Sequence, residues 1–152
     1  DGPNLDKLVF SLDVPVTVDK TVLDAKIKEA EAIENVYTAN SFKALTDAIA
    51  AGKVIFEKDD AQQAEVDNAA TAITEAIEAL AYNSGDTDHD GALSIIDVTA
   101  IQSHIVDKAV ENFDEKLADA NKDVKINIID ATTVQLVVSG KYTLDGDGNI
   151  VH

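Results

Sequence analysis

Two segments of the chain, DTDHDGALSIID at residues 86–97 and DANKDVKINIID at residues 119–130, are copies of one another set 33 residues apart. Each carries oxygen-bearing side chains at positions one, three, five, nine and twelve. In the first copy these are Asp86, Asp88, Asp90, Ser94 and Asp97; in the second they are Asp119, Asn121, Asp123, Asn127 and Asp130. Such spacing wraps a chain around one hard cation. Alternate residues project inward, position seven offers a backbone carbonyl (Ala92, Lys125), and the last carboxylate arrives from the first turn of the exiting helix. An all-oxygen, seven-coordinate, carboxylate-rich cage suits calcium better than magnesium, so the expectation is two calcium ions, one per loop. Gly91 at position six permits the sharp turn. Val124 stands there in the second copy, and a β-branched residue is costly at positive φ. The second loop also has three carboxylates where the first has four, so its site is expected to be weaker or distorted. An Asp-rich solvated turn could show one such pattern without metal. Duplication, and apolar Leu93 and Ile126 placed to pack the two loops together, favour a pair of cages.

The elements that must position these loops can be read around them. Each loop runs into an apolar helical stretch, VTAIQSHIV or ATTVQLVV, with Thr99 matching Thr132, Gln102 matching Gln135 and Lys108 matching Lys141. DEKLADA, residues 114–120, leads into the second copy. Upstream of a polar breaker, Asn83-Ser84-Gly85, the hydrophobic period is helical. Leu23, Ile27, Ala30 and Ile33 follow Asp19, a plausible N-cap. Thr38 can cap a second helix with Phe42, Leu45, Ile49 and Phe56 on one face. A third follows Asp59-Asp60 at its dipole-favoured start, with Val66, Ala70, Ile73, Ile77 and Leu80 inside. Three helices of about 17–20 residues with short connections make an antiparallel bundle. Asp67 and Gln63 are expected to be interhelical or capping groups. Residues 1–18, with alternating VFSLDVPVTV around Pro15, read as an extended arm or linker. The division is therefore 1–18 arm, 19–82 bundle, 83–142 duplicated loop–helix unit and 143–152 tail, an all-α chain. In the tail, Asp145, Asp147 and Asn149 restart the loop pattern superficially, but a β-turn near Asp145-Gly146 is the better reading.

Composition limits the partners. The chain has 29 acidic residues against 12 basic ones, a formal charge of −17, and all the basic residues are lysine. That excludes nucleic acid, which needs a positive stripe and Arg forks, and an anionic membrane surface for the same reason. No apolar run approaches the roughly 18 residues that span a bilayer. Apolar content of 45% is that of a globular chain, so the acidity does not mean disorder. Of 13 acids after the breaker, 11 are Asp, the loop and ligand residue, whereas Glu clusters in the first half on helix surfaces. Cysteine is absent and the three histidines are scattered, which leaves little for catalysis. The chain starts at Asp1 without a leader, as expected of a segment from a longer exported protein with its signal upstream.

Two resemblances rest on these residues. Ala30-x-x-Ile33, Tyr37-Thr38, Ser41-Phe42-x-x-Leu45-x-x-Ala48-Ile49, Val54 and the run AQQAEVDNAATAITEAIEAL resemble the FIVAR module of secreted bacterial enzymes, with Phe42 where that family usually has Trp. The resemblance implies a spacer, a rigid companion or a weak adhesive surface. Residues 84–142 resemble a type I dockerin rather than a calcium sensor. Asn83-Ser84-Gly85 precedes the first loop in place of an entering helix, position twelve is Asp twice, and Met is absent, so there is no Met-rich groove to expose. This resemblance implies a short middle helix around Phe113 to Ala120, and a calcium-dependent plug that binds a cohesin module of another secreted enzyme or scaffold protein. Cohesin contact is implied at Ile95, Ile96, Thr99, Gln102 and Ser103, and at Ile128, Ile129, Thr132, Gln135 and Leu136. Paired isoleucines imply a more apolar interface than the usual polar pairs, and the alternative is that Ile95 and Ile128 close the core between the helices. Near-symmetry of the copies implies that either helix could dock. The pair of modules resembles the C-terminal end of a secreted clostridial family 84 glycoside hydrolase of the hexosaminidase or hyaluronidase toxin type, so this segment itself is expected to be non-catalytic. Competing readings are a calcium-stabilised structural spacer, or a carbohydrate- or host-surface-binding unit built on the bundle.

Overall fold

The computed structural model describes residues 17–152; most of the arm expected at residues 1–18 lies outside them. Among the described residues the chain forms six helices and one small hairpin, which makes it an all-α chain in class. Helices α1 (Thr21–Glu31), α2 (Ala39–Glu57) and α3 (Gln63–Glu78) pack on one another. Their shared core is Leu23, Ile27, Ala30, Leu45, Ala61, Val66, Ala70 and Ile73, with Phe42, Ile49, Ile77 and Leu80 half-buried around it. These positions recur at three- and four-residue steps, which is why the helical period forms one apolar stripe per helix.

Local chemistry explains the boundaries. Thr38 caps α2 as expected, its hydroxyl accepting from the Ser41 N–H. Asp19 acts one residue before the observed cap: its carboxylate accepts from the Thr21 N–H at 2.9 Å. The Gln63 side chain, accepting from the Asp19 N–H at 2.9 Å and donating to its carbonyl at 3.1 Å, ties α3 to the start of α1. Helix α3 begins later than Asp59-Asp60, because the Glu65 carboxylate caps the Gln62 N–H at 2.8 Å and pairs with Lys58 at 2.8 Å. Helix α1 spans only 11 residues, short of the length expected. It closes through a tight bond from the Ile33 N–H to the Ala30 carbonyl, and residues 33–37 then run irregularly. Phe56 is a correction. It lies 37% exposed, with the Lys20 ammonium 5.9 Å above its ring, so Gly52 rather than Phe56 meets the partner helices on that turn of α2.

The second core joins α4 (Ile95–Ile105) to α6 (Ile128–Val138) through Val98, Ile101, Ala131 and Val134. The single-turn α5 (Glu115–Ala118) adds Ala118, and Leu93, Phe113 and Ile126 pack at the margin. The Asp114 carboxylate caps α5 by accepting from the Lys116 and Leu117 N–H groups. The tail turns at Gly146 between β1 (Thr143–Leu144) and β2 (Ile150–Val151), paired Thr143 to Val151 and Leu144 to Ile150. No helix among the described residues is long and apolar enough to cross a membrane. Leu45 is fully buried between α2 and its neighbours. Leu45→Ala should therefore destabilise the bundle by about 2–5 kcal/mol in urea unfolding followed by circular dichroism.

Candidate metal centre and docking face

The twelve-residue loops fold alike, bond for bond at most positions. At position one, an Asp86 oxygen accepts from the Gly91 N–H at 3.0 Å, and an Asp119 oxygen from the Val124 N–H at 2.9 Å. At position three, Asp88 accepts from the Asp90 N–H at 3.2 Å and Asn121 from the Asp123 N–H at 3.0 Å. At position five, Asp90 accepts from the Ala92 N–H at 2.8 Å and Asp123 from the Lys125 N–H at 2.9 Å. Position nine caps the exiting helix: Ser94 accepts from the Ile96 N–H at 3.0 Å and Asn127 from the Ile129 N–H at 2.9 Å. Position twelve completes a capping box, Asp97 accepting from the Ser94 N–H and Asp130 from the Asn127 N–H, both at 2.8 Å. The backbone repeats too. Position four is left-handed in both (His89, φ 62°; Lys122, φ 60°), and so is position six (Gly91, φ 86°; Val124, φ 71°).

The second turn is therefore not distorted by Val124; it keeps the left-handed conformation and bears the strain. Val124 is 90% exposed, so no packing offsets that cost.

In the first loop, oxygens of Asp86, Asp88 and Asp97 lie within 4.8 Å of one another. Among the described residues this three-carboxylate convergence is found in the first loop and not in the second. Asp86 and Asp97 are fully buried, and no lysine pairs with them among the described residues. Both Asp97 oxygens are satisfied, one by the Thr87 N–H at 2.9 Å and hydroxyl at 3.1 Å, the other by Ser94. Asp86 Oδ1 has no hydrogen-bond partner. Burial pushes the Asp86 carboxyl up to about 6, against the pull of the Gly91 N–H, and the charges of Asp97, Asp90 and Asp88 add to the rise. An orphaned, buried carboxylate oxygen among further oxygens is what a hard divalent cation would satisfy, so the residues present fit calcium. Asp86, Asp88, Asp90, the Ala92 carbonyl, Ser94 and Asp97 are the residues that would hold it.

The exposed face lies along the exiting helices. Ile95, Ile96, Ile128 and Ile129 are all between 56% and 59% exposed. Ile95 and Ile128 therefore do not close the inter-helix core, which Val98, Ile101, Ala131 and Val134 fill. Thr99 and Thr132 fold their hydroxyls back onto the carbonyls of Ile95 and Ile128, each at 2.8 Å, which leaves their methyl groups available beside the isoleucines. Gln102 and Gln135 are exposed, while Ser103 and Leu136 are half-buried. Ile95, Ile96, Thr99 and Ser103 line a shallow groove with Ala100, Ala109 and Val110.

Two features escaped the sequence reading. His89 stacks on Tyr82 at 4.0 Å and hydrogen-bonds Asp114 at 3.0 Å, although the histidines looked scattered. The tail, read only as a turn, bonds to both halves of the chain. Neither has a local signal, because the partners lie far apart in sequence.

Two outcomes follow from this geometry. In Val124→Gly the left-handed position loses its steric cost, so the chelator-treated chain should gain about 1 kcal/mol in urea unfolding. A loss would mean the valine packs after all. The second concerns pH. Without metal, folded Asp86 keeps its proton to about pH 6, whereas an unfolded Asp releases it near about 3.9. A raised folded value gives stability that is full below the unfolded value and lost as pH rises through about 6. The chelator-treated chain should therefore melt at a lower temperature at pH 7 than at pH 5, and Asp86→Asn should flatten that slope. An unchanged slope in Asp86→Asn would place its origin elsewhere.

No curated protein matches the chain. Dockerin domains are non-catalytic modules that bind calcium and cohesins. Residues 84–136, which hold both loops, α4 and most of α6, match the family model for the dockerin type I domain.

Proposed function

We propose that this chain is a calcium-dependent dockerin that plugs a secreted carbohydrate-active enzyme into a cohesin module of another enzyme or scaffold, with the three-helix bundle serving as a FIVAR companion. The observation that carries the reading is the coincidence of two features on one duplicated unit. The first loop brings three carboxylates together, the second repeats its backbone and hydrogen bonds, and each exiting helix begins with a pair of exposed isoleucines. A spacer without a partner has no use for four large apolar side chains held in water. In this reading residues 19–82 form one module, 83–142 the docking module, and the tail follows.

Two calcium ions are proposed. The first would be held by Asp86, Asp88, Asp90, Ala92, Ser94 and Asp97, the second by Asp119, Asn121, Asp123, Lys125, Asn127 and Asp130. When bound, calcium supplies the positive charge that like-charged loops lack, so much of the binding energy becomes folding energy. The loops then fix the first turns of α4 and α6, and those turns present the isoleucines. Secretion and a family 84 glycoside hydrolase parent belong to the same proposal; the resemblance of both modules supports them.

Calorimetry against a panel of cohesins should give binding that disappears with chelator, and absence of binding to every cohesin would sink the proposal. Near-identical faces on α4 and α6 allow docking in two orientations. Ile96→Asp alone should leave binding through Ile129, while the double change with Ile129→Asp should abolish it. Complete loss in the single variant would mean one orientation only.

A further inference from the structure

The two loops share a backbone but not a setting. Gly91 of the first loop lies against the backbone between α1 and α2: a Cβ added there would sit 2.7 Å from Val36 Cα. Its counterpart Val124 is 90% exposed. His89, at position four, stacks on Tyr82 with ring centres 4.0 Å apart and planes 7° apart. Tyr82 in turn meets Tyr37 at 4.8 Å. On its other side the His89 ring is held by Asp114, the cap of α5, at 3.0 Å. The first loop is thus gripped between the bundle and α5 at two consecutive left-handed positions, residues 89 and 91.

The tail hairpin locks this seat. Its Gly146 carbonyl accepts from the Asn40 N–H at 2.7 Å, and its Gly148 carbonyl from the Ser84 N–H at 2.8 Å. Ser84 is two residues before the first loop's buried Asp86. Gly148 has φ 76° and no room for a side chain: a Cβ would lie 2.6 Å from Thr38 Cγ2 and 2.7 Å from Asn83 Oδ1. The Thr38 N–H also donates to the Ala81 carbonyl at 2.7 Å, closing the junction from the bundle's side.

We infer that Tyr82, Val36 and the hairpin at Gly148 are positioning residues for the first metal loop, so that its calcium affinity is set in part by residues outside the matched dockerin segment. The inference rests on the proposed calcium reading. A loop carrying four carboxylates pays less to order around an ion when its left-handed positions are already fixed by packed neighbours. Coupling is reciprocal, so an ion in the first loop also tightens the junction between bundle and loop. The second loop meets the hairpin too, where Lys122 donates to the Asn149 side chain, but Tyr82 and Val36 pack on the first loop, so the second ion's affinity is independent of Tyr82.

Calcium titration of the full chain by competition with a chromophoric chelator tests this. Wild type should bind two ions; Tyr82→Ala should weaken one of them about 10-fold and leave the other unchanged. Gly148→Val, which pushes the hairpin off Thr38 and Asn83 beside the first loop, should weaken the same ion more than the second, whose loop the hairpin meets at Lys122. Two ions bound with wild-type affinity in both variants, at unchanged far-ultraviolet circular dichroism, would overturn the inference while leaving the calcium reading intact. A wild type that binds no calcium would instead overturn the calcium reading and the inference with it. Should the variants fold poorly, hydrogen exchange on the wild type decides. The Thr38 and Ser84 amides should exchange several-fold more slowly with calcium than with chelator, and equal rates would refute the coupling.

Discussion

Two buried carboxylates with no cationic side chain paired to them among the described residues govern the arrangement of the first loop and the helix it enters. Asp86 and Asp97 are fully shielded from solvent. An unpaired buried charge costs several kcal/mol, so the surrounding chain must supply dipoles or the site must supply a counter-ion. Backbone does part of this work: N–H groups of Thr87, Gly91 and Ser94 all aim at these oxygens. To deliver those donors the chain must turn left-handed at Gly91 and enter α4 at Ser94. Separately, the Gly85 N–H donates to the Leu117 carbonyl and sets α5 beside the loop. The start of α4 and the turns of the loop follow from solvating two side chains. One oxygen, Asp86 Oδ1, is left over, and it is the one that a cation would claim.

The position-twelve residue has two duties at once. Asp97 and Asp130 stand at the third residue of α4 and α6, and each completes a capping box with the residue three before it. The same carboxylate that would close the cage therefore starts the helix that carries the isoleucine pair. Ordering the loop and presenting the isoleucine pair are one structural event rather than two.

Much of this was readable from residue types and spacing. The duplicated oxygens, Gly91, the Thr38 cap and the apolar stripes of the bundle each depend on near neighbours in sequence. What stayed hidden depends on distant ones. The length of α1 is cut by the need to run Val36 and Tyr37 toward the first loop, and nothing in the local period of Ile33 signals that. Phe56 continues the apolar face of α2 by spacing, yet the bundle ends beneath it and Lys20 covers it instead. Val124 was correctly singled out for its cost, but whether the chain would bend away from it or tolerate it required the backbone itself. Asn83-Ser84-Gly85 has the composition of a solvated linker, whereas Ser84 and Gly85 are buried and bonded to the tail and to α5.

The hairpin has a consequence for the order in which the chain acquires its structure. Asn40 and Asp147, bonded through their side chains at 2.8 Å, are 107 residues apart, whereas the bundle's helices and each loop–helix unit close over much shorter stretches. Local elements form early because little entropy is lost in closing them, and distant contacts wait. The bundle and both loops can each take shape as they emerge from synthesis. The hairpin's bonds to Asn40 and Ser84 cannot form until residues 145–149 exist, so the lock on the first loop's seat closes after the bundle and both loops are in place.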